Sequence, residues 1–370
     1  MRKDWEYKKL GEVCDILDSQ RKPVTKKDRK KGIYPYYGAT GIQDFVDNYI
    51  FDGRYVLVGE DGAKWSANEK CAYIIEGKTW INNHAHVLST KNMVIDSFLT
   101  YYLNFSDLDS YISGAIIRKL TQSSLKSIPI PLPPKPTQLA IVAELDKINE
   151  LIQLKKQQLE DYDQLAQSIF YEMFGDPVEN EKGWEVKKLR EIALEKMSYG
   201  SGASAVPYNQ KIRYIRITDI DELGCLKKDI VSPNICEDKY LLSDGDILFA
   251  RSGATVGKTF LFKSTYGSCI YAGYLIRLRP NTQIVIPEYV YHYTKTHYYR
   301  SFIESNQRVV AQPNINAQQY SSLKLPLPPL PLQQQFAARI EAIERQKQQV
   351  SETIKDLETL LASRMQYWFD

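Results

Sequence analysis

The chain has 370 residues, 48 Lys and Arg against 45 Asp and Glu, a net charge of +3 and 43% hydrophobic residues. That length holds two or three domains able to bury cores, and the composition excludes wholesale disorder. There is no run of about 18 apolar residues, no apolar stretch at the start and no CxxC among the five cysteines, so a cytoplasmic protein with buried thiols is expected, without a membrane span, a zinc site or a disulfide framework.

In chain order, the first motif is Trp5 to Val13, with Lys9-Leu10-Gly11-Glu12-Val13 at its end. A basic run follows from Gln20 to Lys31, and then Tyr34, Tyr36 and Tyr37. Short β-rich runs such as 55–58 and 86–88, punctuated by Gly, Asn, Asp and Ser, predict strands, and a helix is predicted near 95–113. Ile128 to Pro136 is proline-rich and reads as a stiff extended connector. From Thr137 to Phe174 there is no Pro or Gly, and Ile141, Leu145, Ile148, Ile152, Leu159, Tyr162, Ile169 and Met173 fall at heptad spacing, with a polar slot at Lys155. The order then repeats: Trp184 to Ile192, strands near 212–217, 246–250 and 274–278, a helix near 287–304, prolines from Leu325 to Pro331, and a heptad through Phe336, Ile340, Ile343, Val350, Ile354, Leu357 and Leu361, with polar slots at Lys347 and Arg364.

Asp4–Val13 recurs 179 residues on as Gly183–Ile192, and Ile130–Pro134 recurs 195 residues on as Leu325–Pro329. The second offset also aligns Gln138 with Gln333 and Phe174 with Phe369. The chain is therefore one unit written twice, with common ends and divergent middles. The expected fold is α+β: two mixed α/β globular domains, 1–133 and 179–328, each followed by a helical spacer, 134–178 and 329–370. Each helix should be roughly 55 Å long. Paired as equivalent copies about a pseudo-two-fold, they would form an antiparallel coiled coil through Leu145, Ile148, Ile152, Leu159, Tyr162, Ile169, Ile340, Ile343, Val350, Ile354, Leu357 and Leu361, in a nearly circular molecule.

The small net charge is an average. Residues 1–143 carry +4, 144–181 carry −7, 182–332 carry +7 and 333–370 carry −1. Two basic domains and an acidic helix suggest two kinds of partner, nucleic acid and protein. Candidate DNA-binding residues in the first half are Arg21, Lys22, Lys26, Lys27, Lys30, Lys31, Tyr36, Tyr37, Lys64, Asn83, His84, Arg118 and Lys119. Those in the second are Arg213, Arg216, Arg251, Ser252, Lys258, Tyr271, Tyr274, Gln312, Asn314 and Asn316. Cations neutralise phosphates, aromatic rings stack, and Arg and amides read base edges.

Catalytic motifs are missing. Gly253 to Thr259 falls one residue short of a phosphate-binding loop. Asp61 with Glu76-Gly77-Lys78 fits a metal-dependent nuclease pattern only loosely, which keeps a stand-alone nuclease as the alternative function. His84 and His86 would share a strand face, yet no acidic or Cys partner is near in sequence, so no metal site is expected. His292 and His297 read as packing residues of a Tyr-rich helix. No methyltransferase motif is found.

The entry motifs at Trp5 and Trp184, Tyr34–Ile42, Asn82-Asn83-His84-Ala85-His86, Gly245–Gly253 and the proline joints with Gln138 and Gln333 together resemble the DNA-specificity subunits of type I restriction-modification systems, across both halves. The resemblance implies a non-catalytic subunit whose two globular domains are target-recognition domains, each reading one half of a bipartite site in double-stranded DNA, with the helices as a ruler. It implies two methyltransferase subunits and motor-nuclease restriction subunits as partners. The assembled complex would then be an adenine-N6 methyltransferase and ATP-dependent endonuclease, with SAM, ATP and Mg on the partners and no cofactor on this chain.

Overall fold

The computed structural model describes residues 5–114, 116–221, 224–227, 229–307 and 314–370. The chain divides into two compact units: Met1–Lys156 with Glu352–Asp370, and Gln157–Ser351. Each mixes α and β structure, and each closes on itself in the same way.

In unit 1 the strand Glu6–Lys9 pairs antiparallel with Pro129–Leu132, Tyr7 opposite Pro131 and Lys9 opposite Pro129. In unit 2 Glu185–Lys188 pairs with Lys324–Leu327, Val186 opposite Pro326. The proline runs are therefore not free connectors. They are strands of two-stranded sheets, where a proline without an N–H is tolerated because one edge needs no donor. One turn of helix follows each entry strand, Leu10–Val13 and Leu189–Ile192. The Lys9 N–H donates to Glu12 at 3.1 Å and the Lys188 N–H to Glu191 at 2.6 Å. The turn buries Leu10 and Val13, or Leu189 and Ile192, in the unit core.

Unit 1 holds a six-stranded sheet in the order Cys14–Ile16, Ala85–Thr90, Phe51–Gly59, Ala72–Ile81, Lys31–Gly38, Gly41–Val46. Val56 and Val58 face a cluster with Phe98, Leu99 and Leu103 of the helix Asp96–Phe105, while Leu57 faces a second cluster with Ile75 and Val87. Unit 2 holds a four-stranded sheet, Ser198–Tyr199, Leu275–Leu278, Ile247–Ala250, Thr259–Leu261. There Ile247 and Phe249 enter one cluster, and Leu248 and Ala250 the other. An unbroken apolar run marks a strand covered on both faces, and alternation sorts its residues between them.

The helix expected near 95–113 stops at Phe105, and that near 287–304 is two helices, Pro287–Tyr293 and His297–Gln307. His292 is buried against Phe336, and burial pushes its ring pKa down to about 3. Cys14, Cys71 and Cys269 are buried thiols, but Cys225 and Cys236 are exposed, against expectation. Among the described residues no helix is long and apolar enough to cross a membrane.

The long helices are Lys135–Phe174 and Leu330–Phe369, 40 residues each. Within unit 1 Glu144 pairs with Arg364 and accepts from Trp368 Nε1 at 3.0 Å, and Lys156 pairs with Glu358 at 3.4 Å, so these segments run antiparallel. Within unit 2 Asp163 meets Lys347 at 2.7 Å and Phe170 meets Phe336 at 5.7 Å, again antiparallel. Leu145 belongs to the unit 1 globular core, Ile340 and Ile343 to that of unit 2, and Leu361, Tyr162 and Ile169 pack against those cores. Much of the heptad stripe is thus domain core as well as helix seam. Ile148, Ile152, Val350 and Ile354 are buried, while Leu159 and Leu357 are half-buried.

Gln138 and Gln333 lock each helix start. Both are fully buried. The Gln138 carbonyl accepts from Ile95 N at 2.9 Å, and its amide donates to the Met93 and Pro133 carbonyls at 2.9 Å each. Gln333 accepts from Ile286 N at 2.8 Å and donates to the Pro328 carbonyl at 2.7 Å. Gln138→Leu keeps the volume and strands these backbone groups, at about 1–3 kcal/mol each. Denaturant unfolding of the variant should show that loss, with faster hydrogen exchange at Ile95. An unchanged midpoint would refute the lock.

Candidate nucleic-acid interface

The basic run splits by residue type. Arg21 turns inward, its Nη1 donating to Glu60 at 2.6 Å and to the Ala85 carbonyl at 2.7 Å. Arg29 lies 4.2 Å over the Tyr36 ring, donates to the Val24 carbonyl at 3.1 Å and pairs with Asp44 at 3.2 Å. The buried Tyr36 hydroxyl accepts from Val24 N at 3.1 Å, and Trp80 Nε1 donates to the Lys22 carbonyl at 2.6 Å. These contacts hold the loop, and Lys22, Lys26, Lys27, Lys30 and Lys31 stay exposed on it. Arg21 and Tyr36 are therefore supports and cannot contact DNA, because their polar groups are spent inside the protein. Tyr37 is half-buried against Tyr73.

Arg21 belongs to a buried ionic network. Asp18 meets His86 Nδ1 at 2.6 Å and accepts from Gln122 at 3.1 Å, and Glu60 also pairs with Lys119 at 2.8 Å. Burial raises the Asp18 carboxyl, but the hydrogen bond and charge of His86, Val87 N–H and Arg21 outweigh it and hold the group below its ordinary value. Burial likewise acts on Glu60, and Lys119, Arg21 and His86 overcome it in the same direction. Asp18, Glu60 and His86 bring ligand atoms within 4.8 Å of one another. Arg21 and Lys119 already neutralise the carboxylates, and both His86 ring nitrogens face acceptors, Asp18 and the Leu120 carbonyl. The cluster is an ion network of the protein's own charges.

His84 and His86 do not share a face. His84 lies in the turn before Ala85–Thr90 and meets Asp61 at 2.6 Å, while His86 is inside the core. Both have acidic partners that are distant in sequence. Glu76 pairs with Arg54 at 3.1 Å, so the carboxylates of the loose nuclease pattern serve different partners. Lys64 and Arg118 are exposed and paired with Glu69 and Asp109, and Asn83 is exposed.

In unit 2 Arg216 is held by Asp219 at 2.7 Å, Arg213 donates to the Lys227 carbonyl at 2.7 Å, and Tyr271 is buried beneath Arg277. Tyr271 cannot stack on a base, and Arg216 has its fork occupied. Asn316 caps the helix Ala317–Ser321, accepting from Gln319 N at 2.9 Å, so its oxygen is also taken. Lys258 is half-buried, and Gln312 lies outside the described residues. Gly253 and Gly257 have φ of +68° and +87°, but their loop leads into the strand Thr259–Leu261, so it lacks the helix N-terminus of a phosphate loop.

What remains in unit 2 is a rim at the end of the strand Ile247–Ala250. Arg251 lies 4.7 Å over the Tyr199 ring and donates Nε to Asn314 at 3.3 Å. Tyr274 is 61% exposed, and Ser252 bridges Asn314. Unit 1 has the same rim after Phe51–Gly59. Glu60 N donates to the His84 carbonyl at 2.8 Å, as Arg251 N does to that of Tyr274 at 3.1 Å. Leu120 N donates to the Glu60 carbonyl at 2.8 Å, as Ile315 N does to that of Arg251 at 2.9 Å. Asp61 bridges Lys119 as Ser252 bridges Asn314. Glu60 and Tyr199 were not legible in the sequence as site residues, and Asp61 was legible only as a carboxylate of the loose nuclease pattern. The available signal was Glu60-Asp61-Gly62-Ala63 against Arg251-Ser252-Gly253-Ala254, at an offset of 191.

Two α/β units built alike, each presenting a polar rim at the end of its central strand and held by a proline–glutamine joint to a long helix, define a duplicated binding protein. The sequence pattern of the type I restriction modification DNA specificity domain matches residues 2–161 and 181–359. The specificity subunit S.HindORF215P of Haemophilus influenzae is 30% identical over 309 residues, 78% of this chain and 76% of that one. The type I restriction enzyme MjaVIII specificity subunit of Methanocaldococcus jannaschii is 22% identical over 404 residues, 97% of this chain and 92% of that one. The fold is that of the type I restriction-modification S subunit from M. genitalium, with a TM-score of 0.59, 14% identity and coverage of 99% and 96%. A chain from a type I system solved for complex assembly and conformational transition matches with a TM-score of 0.53, 18% identity and coverage of 100% and 98%. The chain belongs to the family of type I restriction-enzyme DNA-specificity subunits.

Proposed function

We propose that this chain is the non-catalytic subunit that reads a bipartite double-stranded DNA site, one half with each unit. The observation that carries this is the repeated polar rim, present once per unit with different side chains. In unit 1 the five exposed lysines of the basic loop add phosphate contacts. Residues 1–133 and 179–328 act as target-recognition domains, and 134–178 and 329–370 as helical spacers. The helices pair as an antiparallel coiled coil whose length, about 60 Å at 1.5 Å per residue, sets the distance between half-sites. Two methyltransferase subunits dock on the acidic first helix and its surroundings, and restriction subunits join them, in the cytoplasm. SAM, ATP and Mg belong to those partners, and the adenine methylation and ATP-dependent cleavage are theirs.

The test uses the assembled complex with its methyltransferase subunits. Footprinting should show two short half-sites separated by a spacer of arbitrary sequence, and a single contiguous site would end the proposal. Inserting one heptad after Gln157 together with one after Ser351 should lengthen the spacer by about 10 Å, or ~3 base pairs. An unchanged spacer would show that the helices are not the ruler.

A further inference from the structure

We propose that the two half-sites are read at the equivalent rim of each unit by different chemistries and from different positions on it: His84, oriented by Asp61, with Lys119 in unit 1, and Arg251, Tyr274 and Asn314 in unit 2. This rests on the DNA-reading function above and assigns the reading to named side chains.

Each rim sits at the end of the central strand of its unit, pinned by the same two backbone hydrogen bonds and the same bridge. Around it the repeat keeps apolar residues: Leu120 and Ile315 are both fully buried. On the rim the repeat changes chemistry at every paired position, Glu60 to Arg251, Asp61 to Ser252, His84 to Tyr274 and Lys119 to Asn314. A duplicated scaffold that must read two different sequences needs this combination of fixed backbone and exchanged side chains. Structural residues show the opposite pattern, as the retained Gln138 and Gln333 do.

The unit 2 rim is organised for a purine edge. The Arg251 guanidinium is held by Tyr199 on its face and by Asn314 at Nε, and among the described residues its two Nη groups have no protein partner. A guanidinium oriented in this way offers its fork to the O6 and N7 acceptors of guanine in the major groove. Tyr274, exposed beside it, supplies a stacking or methyl-contacting ring. The unit 1 rim cannot make that contact. Its equivalent of Arg251 is Glu60, buried and bound by Arg21 and Lys119. There the imidazole of His84 is held through Nδ1 by Asp61, and its side chain is 47% exposed. The two half-sites should therefore differ in sequence, with a guanine contacted by Arg251.

The probe is a double-stranded DNA library randomised in both half-sites, offered to the complex of the full chain with its methyltransferase subunits. The readout is methylation of every sequence. Arg251→Ala should erase the preference at one position of one half-site, a change of roughly 5- to 150-fold against the wrong base. His84→Ala should relax a position in the other half-site only. Arg251→Lys keeps the charge, so it should lose the base preference while retaining salt-dependent binding, and it decides the matter if the alanine variant fails to fold. Lys27→Ala, on the basic loop, should weaken all sequences alike and reduce the salt slope. The inference is overturned if the Arg251 variants leave every base preference intact or weaken all sequences equally. It is also overturned if the Arg251 and His84 variants relax the same half-site. A wild-type complex without a bipartite motif would instead overturn the DNA-reading function itself.

Discussion

Replacing Arg21 with methionine is expected to destabilise unit 1 by about 3–5 kcal/mol, the usual loss when one partner of a buried ionic group is removed. The guanidinium lies between Asp18 and Glu60, whose side chains are 6% and 10% exposed. It also ties the Asp18 and Ala85 carbonyls together, at 3.0 and 2.7 Å. Methionine fills the space but leaves Glu60 with Lys119, itself 44% exposed, and the more distant His86 ring at 3.8 Å. Hydrogen exchange at the amides of Phe51–Gly59 and Ala85–Thr90 should accelerate, while amides of unit 2 keep their protection. Equal protection in unit 1 would show that the network contributes little. The double change Arg21→Met with Glu60→Gln should recover part of the loss, because it removes a buried charge left without its partner.

The same network fixes the sign of the pH dependence. Asp18 and Glu60 both titrate below their ordinary values in the folded chain. A depressed carboxyl stabilises the fold above its unfolded pKa of about 4, and that contribution disappears as pH falls through the folded value. Wild-type unit 1 should therefore weaken below roughly pH 4. The gap between wild type and Arg21→Met should be widest near neutrality and narrow in acid, as protonation removes the charge that arginine compensates.

Sequence alone showed the duplication, because its carriers are local: the Trp-to-Val motif, and the prolines with a glutamine shortly after them. It also showed the long helices, since a heptad with no Pro or Gly is a strong local signal. It could not show that Pro131 lies opposite Tyr7, because strand pairing across more than a hundred residues leaves no local trace. Periodicity also cannot separate a helix packed on a helix from one packed on its own domain, which is why Leu145 and Ile340 looked like pure seam residues. The basic run was legible as charge, but the inward turn of Arg21 depends on Glu60, 39 residues away. Tyr36 and Tyr271 were legible as aromatic and not as buried, because a tyrosine serves a core or a surface equally well. Most rim residues were legible as polar or basic candidates, but the equivalence of the two rims escaped because only a Gly-Ala pair is shared where their chemistry diverges.

Replacing Phe170 with alanine is expected to cost unit 2 about 3–5 kcal/mol, the range for deleting a fully enclosed phenyl ring. Phe170 has no exposed surface; it stacks on Tyr289 at 5.5 Å and meets Phe174 and Phe336 edge-on at 5.1 and 5.7 Å. Those rings come from the first helix, the second helix and Pro287–Tyr293, so three elements lose a common centre. Met365 stands at the position equivalent to Phe170 in unit 1. Phe170→Met should accordingly cost less than Phe170→Ala, since a flexible thioether refills part of the cavity. The consequence reaches the rim, because Ile247 and Phe249 of the strand Ile247–Ala250, which leads into Arg251, belong to the same cluster. Opening it removes the support beneath the second rim while the first is untouched. Denaturant unfolding should report the stability loss, and hydrogen exchange should confine it to amides of unit 2. In the methylation assay, discrimination should fall in the half-site that Arg251 reads. Lost stability with unchanged discrimination in both half-sites would mean that the helix joint does not support base reading.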